Sequence, residues 1–203
     1  KEEAKPVGDK LARLDKVDPG DADVERGSPL AVLAHFSEGF PGKATLVVTP
    51  QDGEVRRLTL VKNLEDPIYG ATLPSVDGPF TYQVEYDGRR SEVFSVNVFE
   101  YPELERPDAT LTYPAYTGIP ERTVEDTRRL SVVEGTRLAY GFHLNKPVAA
   151  ARLVGENNES VELDAHPDEP LAELPPLVLS KTMKWKLELV DAAGRTNKIS
   201  PRI

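Results

Sequence analysis

The chain has 203 residues, with 34 acidic against 25 basic side chains and a formal charge of -9. Without a cluster of Lys or Arg, that balance excludes the grip on phosphate that nucleic acids and anionic membrane surfaces demand. The absence of cysteine excludes disulfides, thiolate nucleophiles and cysteine-ligated metals. Eighteen prolines argue against long helices and suit turns and strand edges. No apolar run approaches the roughly 20 residues that cross a bilayer. The chain opens at Lys1 without the pattern of a signal peptide, and reads as a soluble piece of a longer protein.

Residues 1–10 are polar and read as a flexible lead-in. Residues 10–17 space Leu11, Leu14 and Val17 three apart, a helical interval in a stretch too short to hold a helix alone. An opening strand and a docked single turn both fit it, and DPGD follows as a turn. From Leu30 the period is two, with Leu30, Val32, Ala34 and Phe36 alternating against Ala31, Leu33 and His35. That is the pattern of a strand with one face in a core. Further strands are expected over 43–49, 54–61, 80–86 and 91–99, separated by PQDG, VDGP and YDGR turns.

The same segment then returns. VERGSPLAVLAHF (residues 24–36) and VVEGTRLAYGFHL (132–144) align without a gap, with identities at Val24/Val132, Gly27/Gly135, Leu30/Leu138, Ala31/Ala139 and His35/His143. FTYQVEY (80–86) and MKWKLEL (183–189) match in the same way, and each leads through Gly88-Arg89 or Gly194-Arg195 towards a closing strand. Val76 lies six residues before Tyr82 and Leu179 six before Trp185. Tyr82 is thereby a candidate tyrosine corner, its hydroxyl bonded to upstream backbone, with Trp185 filling the equivalent volume. A repeat near 100 residues has the size of a β-sandwich. The expected fold is all-β, two tandem immunoglobulin-like β-sandwich domains over 11–106 and 107–203. The boundary is placed near Arg106, in a stretch stiffened by Pro102 and Pro107.

LDKVDPGDADVERGSPLAV, FTYQVEYDGRRSEVFSVNVFEYP, TYPAYTGIPERTV and VVEGTRLAYGFHLNKPVAAARL follow one another in this chain. Together they resemble the Ig-like periplasmic region of large bacterial membrane-anchored proteins of unknown function, of the DUF4175 type and of similar long planctomycete proteins. The most distinctive elements are Pro114, Tyr116, Thr117 and Gly118 (P-x-Y-T-G), then Glu134 to Thr136 (E-G-T) and Asn145 to Pro147 (N-K-P). The resemblance covers about residues 11–155. It implies tandem Ig-like domains in the periplasm or outside the cell, held by membrane-anchored parts of the same parent protein, and it brings no catalytic residues.

Candidate chemistry is sparse. His35 and His143 sit on the face opposite the apolar set, where solvent contact is the ordinary fate of a histidine; the repeat assigns them to separate domains, and His166 stands in a loop-like stretch. There is no H-E-x-x-H, G-x-S-x-G or Walker-type glycine loop, so no catalytic residue and no cofactor is expected. Calcium candidates are Asp18, Asp21 and Asp23 (with Glu25) and Glu103 and Glu105 (with Glu100 and Asp108), because calcium takes six to eight oxygens and can stiffen joined domains. Simple turn formers fit the same residues. Tyr113 and Tyr116 suit either an exposed aromatic platform or packing on a sandwich edge. Exposed strand edges could receive a protein partner by β-addition. The expected function is a structural spacer or interaction segment, with other domains of the same parent as neighbours and no nucleic acid or direct membrane contact. The alternative is a glycan-binding or calcium-dependent adhesin-like module.

Overall fold

The computed structural model describes residues 11–63, 66–157 and 159–203; the expectation for residues 1–10 lies outside them. The chain is nearly all β and divides into two compact units, 1–100 and 101–203.

The first unit carries β1 (Arg13–Asp18), β2 (Ala22–Glu25), β3 (Leu30–Glu38), β4 (Ala44–Pro50), β5 (Arg56–Thr59), β6 (Val61–Lys62), β7 (Ile68–Leu73), β8 (Phe80–Tyr86), β9 (Arg89–Arg90) and β10 (Phe94–Phe99). One sheet has the order β1-β3-β7-β6, the other β2-β10-β8-β4-β5 with β9 on β8. Alternation on β3 and β8 turns Val32, Ala34 and Phe36 from one sheet towards Tyr82 and Val84 from the other, and these share one core. Residues 13–18 resolve as an opening strand, with Val17 buried opposite Ala34.

Two expected strands change in detail. The 54–61 stretch splits at Leu60: β5 pairs with β4 while β6 pairs with β7. Leu60, 3% exposed, is where the chain crosses from one sheet to the other. The last strand starts at Phe94 rather than Ser91, because the Ser91 hydroxyl accepts the Val84 N–H at 2.9 Å and interrupts the ladder.

Tyr82 does bond backbone through its hydroxyl, but not as a local corner. It donates at 2.8 Å to the carbonyl of Gly20, 62 residues upstream in the bend between β1 and β2. In the second unit Trp185 is buried without that role, and Tyr140 donates to the Thr127 carbonyl at 3.0 Å. Burial pushes both phenols up to about 12. A neutral form favoured by the fold supplies stability that is present below pH 10 and lost as pH rises from about 10 to 12. An absorbance titration should therefore leave Tyr82 and Tyr140 un-ionised past pH 11; Y82F and Y140F should each remove one late-titrating group.

The second unit carries β11 (Leu104–Thr112), a short 3-10 turn (Ala115–Thr117), β12 (Arg122–Val124), β13 (Arg137–Leu144), β14 (Ala150–Gly155), β15 (Ser160–Glu162), β16 (Asp164–Ala165), β17 (Leu171–Val178) and β18 (Trp185–Val190). Its sheets have the orders β12-β11-β13-β17-β16 and β15-β14-β18. Tyr140 and Phe142 face Leu153, Trp185, Leu187 and Leu189 in a second core. The division falls before β11, not near Arg106. Pro107 lies buried within β11 opposite Phe142, and its carbonyl accepts the Thr127 N–H. The closing strand after Gly194 is reduced to bridges at Thr196 and Arg202. The Asn197 side chain replaces ladder groups there, accepting from Leu189 N at 2.8 Å and donating to the Leu187 carbonyl at 3.1 Å.

Each unit contains a Gly turn of similar backbone geometry. Gly27 and Gly135 have φ of +78° and +85°, a region that side chains disfavour. Their N–H groups bond the carbonyls of Val76 and Leu179 respectively, a matching contact inside each unit.

Candidate functional site

The two repeated histidines stand in the same constellation. β1 and β11 share the pattern Leu14-Asp15-Lys16-Val17-Asp18 and Leu104-Glu105-Arg106-Pro107-Asp108. Antiparallel pairing sets Lys16 opposite His35 and Arg106 opposite His143. Because alternate side chains share a face, the cation, the aspartate and the imidazole meet on the outside of each sheet while Val17 or Pro107 points inward.

In the first unit Lys16 Nζ and His35 Nε2 each lie 2.8 Å from Asp18 Oδ2. His35 Nε2 is shielded from solvent and outside hydrogen-bond geometry. In the second, Arg106 Nη2 and His143 Nε2 each lie 3.0 Å from Asp108 Oδ2, and Asp108 Oδ1 accepts the Asp126 N–H. The hydrogen bond from Lys16 holds the Asp18 carboxyl below its ordinary value; for Asp108 the backbone bond from Asp126 is the leading cause, ahead of Arg106 and His143. His166, in its loop, sits 3.0 Å from Glu173. The histidines thus stand beside carboxylates rather than as bare solvent contacts. The geometry is a cross-strand clasp of cation, carboxylate and imidazole.

The calcium candidates are dispersed into separate tasks. Besides Asp18, Asp21 Oδ1 accepts the Ser95 N–H at 2.7 Å and Asp23 Oδ1 accepts from Asn97 at 3.1 Å, both tying β2 to β10. Glu103 bonds Asn145 through its backbone, and Glu105 is an exposed residue at the irregularity in β11. Among the described residues no three His, Asp or Glu side chains converge as a metal-binding group.

The distinctive motifs hold the second unit's frame. Pro114 packs under Gly135, and the Tyr116 hydroxyl reaches the Glu134 carbonyl at 3.4 Å, so P-x-Y-T-G and E-G-T form one joint. Asn145 accepts from Glu103 N and donates to the Tyr101 carbonyl, fastening the start of the unit. Lys146 donates to Asp191 Oδ2 at 2.8 Å. The two tyrosines part company: Tyr113 packs on the core edge beneath Arg122, whereas Tyr116 is 80% exposed. They make no shared platform.

Sequence reasoning missed Lys16 and Arg106, although the L-[DE]-[KR]-x-D repeat was present. It also missed a cleft of about 1140 Å³ at one end of the second unit, floored by Leu138, Tyr140 and Trp185 and rimmed by Arg128, Arg129 and Lys181. No helix among the described residues is long and apolar enough to cross a membrane. No protein-family model matches this chain, and no curated protein matches it in sequence.

Proposed function

We propose that the chain is a non-enzymatic spacer or protein-docking segment of a larger bacterial cell-envelope protein, built as two immunoglobulin-like sandwiches in tandem. The Ig-like reading is supported by the first unit's strand order, in which sheet β1-β3-β7-β6 faces β10-β8-β4 and the leading strand breaks so that β2 joins the opposite sheet. The periplasmic or extracellular placement rests on the resemblance of residues 11–155. Other domains of the parent protein would be its fixed neighbours, and its exposed strand edges the places for a partner.

One observation carries the functional reading: the polar groups able to do chemistry are spent on structure. The repeated histidines are clasped to aspartates on outer sheet faces. The buried polar residues Asp191 and Asn197 hold backbone N–H groups. The discriminating experiment is a thermal melt in calcium and in excess EDTA. Superimposable curves are expected. A site loaded to 100 times its dissociation constant would add roughly 2.7 kcal/mol and raise the midpoint by several degrees, and that rise would replace the spacer by the calcium-dependent alternative.

A further inference from the structure

We infer that the cleft in the second unit is the seat of one more β-strand, an extended segment continuous with Ile203 and apolar at alternate positions. The inference comes from laying the pairing of one unit on the other. In the first unit β10 runs antiparallel to β8, with Phe94 opposite Tyr82 and Val96 opposite Phe80. Its other side takes β2 in parallel, with Val96 opposite Ala22 and Val98 opposite Val24. Val96 is 1% exposed, so this strand closes the core.

The second unit presents the same walls. Gly155 stands opposite Trp185 as Val48 stands opposite Tyr82. Ile203 exchanges two 2.9 Å backbone bonds with Trp185, which puts it in the place of Phe94. The sequence repeat puts Leu130 and Val132 in the places of Ala22 and Val24. Between Met183 on one side and Leu130–Val132 on the other lies the cleft.

Two further observations say that this space wants a strand. Among the described residues, 130–132 and 182–184 make no backbone hydrogen bonds, so both walls carry the free N–H and C=O groups of open strand edges. The side chains beneath are under-covered as well: Val76 and Phe80 are 2% and 8% exposed, while their counterparts Leu179 and Met183 are only partly buried. The rim carries Arg128, Arg129 and Lys181 together with Glu134 and Glu188, so the outward positions of the strand accept polar side chains.

The test extends the chain after Ile203 with Ser-Val-Asn-Val-Phe, the sequence of residues 95–99, and compares it with a Gly-Ser-Gly-Ser-Gly extension. The first is expected to raise the melting midpoint by about 5 °C or more. It should also slow amide exchange at 131–133 and 182–184 by on the order of tenfold relative to the second. Identical behaviour of the two extensions overturns the inference. Protection that appears with the free pentapeptide but not with the fused one also overturns it, because the seat then takes a strand from another molecule. Either failure leaves the spacer reading standing.

Discussion

Asp191→Ala should destabilise the second unit by about 1–3 kcal/mol, the range for leaving buried hydrogen-bonding groups without their partner. The Asp191 side chain is 2% exposed. Oδ2 accepts from Lys146 at 2.8 Å, and Oδ1 accepts from the backbone of Ala193 at 2.9 Å and Arg195 at 2.8 Å. Alanine would remove the acceptor of two backbone N–H groups, and release the turn that carries the chain from β18 to Asn197. Burial alone pushes the Asp191 carboxyl up, but Lys146 and the two N–H groups together outweigh it and hold the group below its ordinary 3.8. A depressed value means stability present above about pH 4 and lost as pH falls below it. Denaturant melts from pH 7 to 2 should therefore show an acid loss in the wild type that is diminished in the D191A chain. Equal acid limbs would show that the carboxylate is not what holds this turn.

Phe36→Ala and Phe142→Ala should each cost about 3–5 kcal/mol, in different halves of the chain. Phe36 is 2% exposed and meets Tyr69 and Tyr86 edge-on, with centroids 5.3 and 5.2 Å away. Phe142 is fully buried and stacks on Tyr140 at 5.1 Å. Each belongs to a separate cluster of core residues. Hydrogen exchange should then find faster opening confined to β3, β7 and β8 for F36A, and to β13, β17 and β18 for F142A. A uniform acceleration across both units would contradict two independent cores.

What could be read in the sequence was what alternation makes visible. β3, β8, β13 and β18 each put bulky apolar residues at every second position, and their mutual likeness announces the repeat. The charge clasp was harder to see because its halves keep different spacings. From Asp18 to Leu30 is 12 residues, whereas Asp108 to Leu138 is 30, since the second unit inserts a 3-10 turn and β12. The two copies of L-[DE]-[KR]-x-D thus fall out of step with the main repeat. β7 escaped because Gly70 interrupts its bulky residues where Leu33 packs across from it. β17 escaped because Pro175 and Pro176 read as a strand breaker. They are tolerated at a register shift opposite β13, beyond the short reach of β16. The cleft had no local signature at all, being defined by which partners two backbone segments lack.

Tension along the chain through the first unit draws β2 towards its own N-terminus and β10 towards its C-terminus. The two run parallel over Ala22–Glu25 and 96–99, so the pull is antiparallel along a shared axis. Their ladder bonds, with the Asp21 and Asp23 side-chain ties beside them, are sheared as a group and must fail together, where a strand lifted from one end would peel away bond by bond. In the second unit residues 130–132 make no such ladder bonds among the described residues, and a strand continuing from Ile203 would supply the same grip there.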